Sequence, residues 1–165
     1  MLSTYKTHHN SLYNNLVHLS RNLFFYKKIL LKDTFETRIN LIFFHLSIVM
    51  NIFKSRKTEF PQYLFDNIFQ NIEYNMRELG YGDVTVNKQM KNLTRIFYDI
   101  LLKFNNDKNK NVTLNKKLIT DYFDFSDKDD QLITELANYL DEFYKFCFEL
   151  NEDIMIKGQI NFREY

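Results

Sequence analysis

The stretch Arg77-Glu-Leu-Gly-Tyr-Gly-Asp-Val-Thr-Val-Asn-Lys-Gln-Met-Lys91 decides the fold, because it separates two helical patterns. Two of the chain's three glycines lie in it, at Gly80 and Gly82. Gly80 stands where the end of a helix commonly needs a left-handed residue, a conformation that glycine adopts without strain. Asp83 or Thr85 is suited to cap the next helix by accepting its free backbone N–H groups. We therefore predict a helical hairpin with a tight, charged turn.

Apolar residues recur every three or four positions on both sides of this turn, which we call the elbow (residues 77–85), as they do on one face of a helix. The first pattern runs into the elbow and comprises Phe65, Ile68, Phe69, Ile72, Met76 and Leu79. The pattern after it comprises Val86, Met90, Leu93, Phe97, Ile100 and Phe104.

Three basic residues lie on the second helix, opposite its apolar face. A projection at about 100° per residue groups Lys88, Lys91 and Arg95, with Asn92 and Asp99 at their border. We call these three cations the basic stripe. Once the apolar face is buried the stripe points outward. It is then either an ordinary solvated face or a docking surface for an anionic partner such as RNA, lipid headgroups or an acidic protein.

The rest of the chain is also helical in pattern, which predicts a single all-α domain over residues 1–165. We expect an irregular bundle of about six helices around the central hairpin. The longest predicted helix covers residues 34–54 and opens with the capping pattern Asp33-Thr-Phe-Glu36, with the acid at the cap. It belongs in the centre of the bundle, because its middle is apolar on nearly every face. Pro61 suits the first turn of the following helix.

The ends of the chain complete the predicted bundle. A first helix has Leu12, Leu16, Leu19 and Leu23 as its apolar seam, followed by a bulky anchor at Phe24-Phe-Tyr26. Beyond the hairpin we predict a loop at residues 105–111 and a short helix at 114–122. A last helix is capped by Ser126-Asp-Lys-Asp129 and carries Leu132, Leu136, Leu140, Phe143, Cys147 and Leu150. An extended tail starts at Gly158.

The net charge of +1 conceals an uneven distribution of charge. The first acidic residue is Asp33, and it is preceded by Lys6, Arg21, Lys27, Lys28 and Lys32. Acidic residues dominate between positions 121 and 153. The two regions are either solvated faces of opposite sign, or a basic front that lies against anionic lipid or RNA and an acidic back that avoids both.

No pattern in the chain carries catalysis, so we predict a protein that is not an enzyme and uses neither a cofactor nor a metal. Cys147 is the single cysteine, which excludes an internal disulfide, and its apolar neighbours predict a core position. His8 and His9 favour a solvated pair over a weak metal site. His45 lies in an apolar run and is interpreted as a hydrogen-bonded core histidine, with ligation of haem as the alternative.

The longest apolar run, residues 41–50, is about half as long as a transmembrane helix requires. The amino terminus lacks the apolar core of a secretory signal. We expect a cytoplasmic protein, with peripheral attachment to the inner membrane left open.

The elbow and its flanks carry a recognisable signature. Arg77-Glu78-Leu-Gly80-x-Gly82-Asp83, then Val86-x-Lys88-x-Met90-Lys91 and Phe97-Tyr98, resembles the signature of the ubiquinol–cytochrome c chaperone family. The resemblance includes Leu64-Phe65-Asp66-x-x-Phe69 and Asn40-Leu-Ile-Phe-Phe-His45-Leu, and it reaches from Leu12-Tyr13 to Gly158-Gln-Ile-Asn-Phe162. The chain departs from the family at Asp99-Ile100, where the family usually has Gly-Arg.

The resemblance implies a chaperone for assembly of the respiratory ubiquinol–cytochrome c reductase. Such a protein binds newly made cytochrome b, at the ribosome or at the membrane surface, and mitochondrial members work with a small helical partner subunit. The residues expected to contact the partner are Arg77, Glu78, Gly80, Gly82, Asp83, Lys88, Lys91, Arg95 and Tyr98. Candidates for the rim of a client groove are Tyr63, Phe69, Tyr74, Tyr98 and Tyr144. The alternatives are a general ribosome- or RNA-binding helical module and a haem carrier that uses His45.

Overall fold

The computed structural model describes residues 11–104, 111–125 and 129–163. These ranges contain seven α-helices and one π-helical turn. No strand occurs within these ranges, so the predicted all-α class is confirmed. In chain order the elements are α1 (Ser11–Ser20), the π-helical turn (Phe24–Lys28), α2 (Phe35–Ser55), α3 (Gln62–Glu78), α4 (Asp83–Lys103), α5 (Asn111–Tyr122), α6 (Asp130–Phe148) and α7 (Glu152–Ile156).

Helix α2 is the centre of the bundle, as its apolar sequence predicts, and it packs against α1, α4 and α6. Every side chain from residue 39 to residue 49 is buried. The ring of Phe43 on α2 contacts Phe69 of α3 and Phe97 of α4, with centroids 5.6 and 5.4 Å away. The α3–α4 hairpin is therefore attached to the core through its aromatic faces. No helix in the described ranges is both long enough and apolar enough to cross a membrane.

The predicted starts of α2 and α3 are each off by one residue. Thr34, not Asp33, caps α2, and its hydroxyl accepts the backbone N–H of Thr37 at 3.1 Å. Asp33 instead accepts two hydrogen bonds from the guanidinium of Arg38, at 2.7 and 2.9 Å. Pro61 is the cap residue of α3 and not part of its first turn. Both differences are one position, which is within the usual variation of helix boundaries.

The segment after α1 departs from the predicted seam. Leu12, Leu16 and Leu19 are buried, but Leu23 is exposed, because α1 ends at Ser20 and the chain turns away through the π-helical turn. The predicted aromatic anchor is confirmed at Phe25, which is fully buried.

The carboxy-terminal half contains more helix than predicted. Helix α5 begins at Asn111, and the rest of the predicted 105–111 loop lies outside the described residues, as does Ser126 of the predicted cap. The cap of α6 is Asp129, which accepts the N–H of Gln131 at 2.9 Å. The short helix α7 was not predicted.

The tail after α7 is held against α1. Ile160 is buried, its N–H donates to Asn15 Oδ1 (2.9 Å), and Asn15 Nδ2 donates to its carbonyl (3.0 Å). Gly158 turns the chain into this contact with φ +67°. An added Cβ there would lie 2.3 Å from the backbone oxygen of Ser11, so glycine is required by space as well as by φ.

Candidate partner-binding surface

The elbow is a Schellman turn that joins α3 to α4. Leu79 ends α3, and Gly80 follows it with φ +94°. The N–H of Gly80 donates to the carbonyl of Arg77 (3.0 Å) and the N–H of Tyr81 donates to that of Met76 (3.3 Å). An added Cβ at Gly80 would meet no atom within 4 Å, so the backbone angle alone selects glycine.

Gly82, and not Asp83 or Thr85, is the cap residue of α4, so the predicted side-chain cap is wrong. No side chain accepts a hydrogen bond at this end of the helix. Asp83 is the first helical residue, and its carboxylate turns back to pair with Arg77. Gly82 has an ordinary φ of −73° and open space around it, so the turn does not depend on glycine there.

Arg77 clamps the elbow from α3. Its guanidinium donates to Asp83 at the start of α4 and to Glu73 one turn back, the latter at 3.0 Å. The hydrogen bond to Asp83, and to a smaller extent the one to Glu73, raise the pKa of Arg77 above its ordinary value. Because Arg77 and Asp83 are engaged with each other, their first role in the described chain is to hold the turn.

Every residue from 77 to 85 is exposed, which leaves the elbow accessible from solvent. Leu79 is 60% exposed, so its assignment to the buried face of α3 was wrong: it caps the helix end, where the turn leads away from the core. Tyr81 is exposed as well, and Val84 is 84% exposed. These three apolar residues were missed as site candidates. The available signal was that Tyr81 and Val84 do not fit either apolar pattern.

The basic stripe points outward, as predicted. Lys88, Lys91 and Arg95 are exposed, whereas Val86, Leu93 and Phe97 on the opposite face are buried. Val84, Tyr98 and Leu102 lie within about 40° of the stripe in helical projection, and Leu102 is 76% exposed. Residues 84 and 102 are about 27 Å apart along the helix axis. The outer face of α4 thus has exposed apolar groups at its two ends and three cations between them.

Asp99, the acidic residue at the border of the stripe, forms its hydrogen bonds with residues outside the stripe. Asp99 Oδ1 accepts a hydrogen bond from Lys103 (2.8 Å), and the hydroxyl of Tyr122 on α5 donates to the same carboxylate. Both contacts hold the pKa of Asp99 below its ordinary value, with Lys103 as the larger cause. The carboxylate is therefore held mainly by Lys103 and by Tyr122 at the α4–α5 contact, and it has a weaker electrostatic interaction with Arg95 of the stripe.

A cavity of about 340 Å³ opens beside the elbow, between the start of α2 and one side of α4. Met76 lines it from α3, Tyr81 from the elbow, Phe35 and Ile39 from α2, and Leu93 from α4. The wall of this cavity is partly apolar and partly polar, and the cavity lies next to the exposed apolar residues of the turn.

The five predicted rim aromatics separate into two groups. Tyr63, Tyr74 and Tyr98 are exposed, and the ring of Tyr98 contacts Phe65 at 6.1 Å between centroids. Phe69 is buried in the core. Tyr144 is half-buried on α6, where its ring stacks on Phe148 at 5.8 Å, away from the hairpin. Only the first three are placed to line an outer surface.

His45 is a core residue. It is fully buried, Nδ1 lies 2.7 Å from the carbonyl of Leu41, and Nε2 lies 2.8 Å from the hydroxyl of Tyr139. Burial lowers its pKa to about 4, so the ring is neutral near pH 7. Both ring nitrogens are engaged inside the core, which removes the feature on which the haem-carrier alternative depended. His8 and His9 lie outside the described residues, and among those described no three His, Cys, Asp or Glu side chains form a group that could hold a metal ion.

The basic front and the acidic back of the sequence meet in the fold. Lys28 lies 3.8 Å from Glu135 on α6, and Lys32 lies 3.3 Å from Asp124. The two charged regions are thus neighbours, not opposite faces of the molecule. Cys147 is buried as predicted, and burial raises the pKa of its thiol.

The described residues form an all-α bundle whose α3–α4 hairpin is exposed at its turn. The chain belongs to the ubiquinol-cytochrome C chaperone family, whose model matches residues 27–162. The fold is similar to that of the crystal structure of the Cbp3 homolog from Brucella abortus, with a TM-score of 0.73. The two sequences are 22% identical, and the match covers 94% of this chain and 88% of the other. A search among curated proteins gives no match.

Proposed function

We propose that this protein holds newly made cytochrome b against the elbow and the outer face of α4 during assembly of the ubiquinol–cytochrome c reductase. Membership of the chaperone family supports a role in assembly of this reductase. The observation that carries the proposed site is the exposure of every residue from 77 to 85, next to the basic stripe. The predicted contact residues Glu78, Lys88, Lys91, Arg95 and Tyr98 lie on this one exposed hairpin.

The surface has the chemistry that such a client requires. A protein with several membrane helices exposes apolar segments until its cofactors and partner subunits are in place. Burying Val84 or Leu102 under a client would contribute about 1.5–3 kcal/mol each. Part of that gain is offset by the lost freedom of both partners, which leaves binding weak enough for release. The three cations between these residues favour clients whose apolar segments are flanked by acidic residues or lie next to lipid phosphates.

Site-specific crosslinking tests the contact directly. The chain has one cysteine, Cys147, and it is buried, so a cysteine introduced at the surface supplies the main reactive thiol. Val84→Cys and Leu102→Cys should crosslink to cytochrome b in cells that are making it. Asn138→Cys, at an exposed position on α6, is the matched control and should not. Equal crosslinking from all three positions would contradict the assigned surface.

Charge reversal tests the basic stripe. Lys88→Glu with Lys91→Glu should leave the urea midpoint of unfolding nearly unchanged, since both side chains are exposed, but should lower the amount of assembled, haem-loaded reductase. Lys117→Glu with Lys157→Glu makes the same change in net charge at exposed positions elsewhere. Normal reductase levels in the first variant would count against the proposal.

A general RNA- or ribosome-binding module is the second candidate, because the stripe consists of three exposed cations. It requires association with bulk RNA that weakens steeply with salt and does not depend on synthesis of cytochrome b. Crosslinks from position 84 to ribosomal RNA in place of cytochrome b would favour this candidate.

A further inference from the structure

The segment between α1 and α2 exposes two leucines that the fold does not explain. Leu23 is 55% exposed and Leu30 is 65% exposed, and they flank the π-helical turn Phe24–Lys28. Leu30 also has φ +64°, a left-handed conformation that costs stability for a leucine. An exposed apolar side chain gains no burial in return, and π-helical turns are frequent at functional sites. A role in contacting something outside the chain would explain this combination.

The segment is fixed to the core from its inner side. Phe25 and Ile29 are fully buried, and the ring of Phe25 lies 4.8 Å from that of Tyr139. The N–H of Leu31 donates to the carbonyl of Phe25 at 2.9 Å, which closes the turn. The outward side chains are therefore presented by an anchored backbone.

The exposed positions between the leucines and just after them are basic. Lys27, Lys28 and Lys32 are all exposed. Lys32 pairs with Asp124 at 3.3 Å, but both side chains are largely exposed, so the pair is weak. Lys28 is 3.8 Å from Glu135, at the limit of an ion pair.

The acidic residue that directly follows the segment, Asp33, is already paired. The carboxylate of Asp33 accepts both hydrogen bonds of the Arg38 guanidinium, and this contact holds the pKa of Asp33 below its ordinary value. The exposed surface of residues 21–32 is therefore cationic with two apolar projections.

This chemistry fits a lipid surface better than RNA. Recognition of single-stranded RNA depends largely on stacking of bases on aromatic rings. The aromatic residues of this segment are already engaged within the fold instead. Phe25 is buried, and half-buried Phe24 stacks on Tyr139 at 5.4 Å with Lys28 and Arg163 over its ring. The hydroxyl of half-buried Tyr26 donates to the carbonyl of Ser20. Leucines between lysines match the boundary of acyl chains and anionic headgroups.

We propose that residues 21–32 dock the protein on an anionic membrane, with Leu23 and Leu30 among the headgroups and Lys27, Lys28 and Lys32 against lipid phosphates. This extends the proposed function by naming where the chaperone meets the membrane of its client. It is tested with the purified full chain and vesicles alone, so its failure is distinct from failure of the cytochrome b proposal.

The first experiment uses a tryptophan reporter, because the chain contains no tryptophan. Leu23→Trp should give a blue-shifted emission with vesicles of phosphatidylcholine and phosphatidylglycerol, and no shift with phosphatidylcholine alone. Leu102→Trp, at an exposed position on α4, is the control and should not shift. No shift for Leu23→Trp, or an equal shift for both variants, would overturn the proposal.

The second experiment separates the two components by vesicle flotation. Replacing Lys27, Lys28 and Lys32 with Gln should lower partitioning on the order of 100-fold, from about fivefold per lysine near an anionic surface. Leu23→Gln with Leu30→Asn should weaken binding with the fold intact, since Asn tolerates a left-handed backbone. The control replaces Lys88, Lys91 and Arg95 with Gln and should float like the parent protein. An equal loss of vesicle binding in the control variant would overturn the membrane assignment. So would binding to poly(U) that depends on the same three lysines, if the protein did not bind vesicles.

Discussion

Alanine substitution of the three glycines distinguishes the effect of a left-handed backbone from the effect of a steric clash. The three positions differ in φ and in the space available for a Cβ atom. At Gly82 φ is ordinary and the surroundings are open, so Gly82→Ala gains about 0.4–1 kcal/mol through a less flexible unfolded chain. Gly82 is also the cap of α4, where alanine is poorer than glycine by a similar amount, so the net change should be within about 0.5 kcal/mol of zero. At Gly80 the space is also open but φ is +94°. The left-handed strain of about 1–2 kcal/mol there exceeds the unfolded-state gain, so Gly80→Ala should destabilise by about 1 kcal/mol.

Gly158→Ala should be the most harmful of the three. An added Cβ would lie 2.3 Å from Ser11 O and 2.5 Å from Ser11 C, and these are backbone atoms of a helix that cannot rotate away. We expect the tail to detach from α1. That loses the burial of Ile160, about 1.5–3 kcal/mol, and two hydrogen bonds with Asn15 of about 1 kcal/mol each. The expected destabilisation is about 4 kcal/mol.

Urea denaturation followed by far-UV circular dichroism measures all three variants against the parent, at constant m value. For a chain of 165 residues, 1 kcal/mol shifts the melting temperature by about 2–4 °C, so Gly158→Ala should melt about 8–16 °C lower. A Gly158→Ala variant no less stable than Gly80→Ala would refute the close approach of the tail to α1. Equal stability of Gly80→Ala and Gly82→Ala would refute the left-handed elbow.

Three further predictions concern His45, Cys147 and Arg77. Burial lowers the pKa of His45 from 6.5 to about 4, so as pH falls the unfolded chain binds a proton at this residue before the native protein does. The free energy of unfolding should therefore fall by about 3 kcal/mol between pH 6.5 and about pH 4. In urea denaturations over this pH range His45→Gln should reduce the dependence of stability on pH, and an unchanged dependence would mean that other groups cause it. Cys147 should resist Ellman's reagent in the native protein and react along the unfolding transition, because it is buried and its thiol pKa is raised; rapid reaction without urea would contradict its core position. Arg77→Gln should speed hydrogen exchange at the amides of Gly80 and Tyr81 with almost no change in the urea midpoint, and unaltered exchange would mean that the Asp83 contact does not hold the turn.

Local patterns were sufficient for the helices of the hairpin and for the central position of α2. Apolar residues spaced by threes and fours must share one helix face, and a helix that is apolar all round must be covered on all sides. For the same reason the outward direction of Lys88, Lys91 and Arg95 followed from the sequence, since it is opposite a face that has to be buried. Helix ends were less predictable, because adjacent residues such as Asp33 and Thr34 both suit a cap.

The family signature in the sequence identified the class of protein, and the match over residues 27–162 confirmed it. The residues proposed to contact a partner stay a prediction, although the hairpin that carries them is accessible. What the patterns did not contain was the exposure of Leu23, Leu79 and Val84, which depends on where the chain turns and on what lies above each residue.

Only the tertiary structure brought distant residues together. His45 meets Tyr139 across a separation of 94 residues, and Asn15 meets Ile160 across 145. The basic front was likewise found beside acidic α6, at Lys28 and Glu135, although in sequence the two regions looked like separate faces. Periodicity records only which side of an element is apolar. The element that covers that side, and the side chains left uncovered, are decided by packing between segments far apart in the chain.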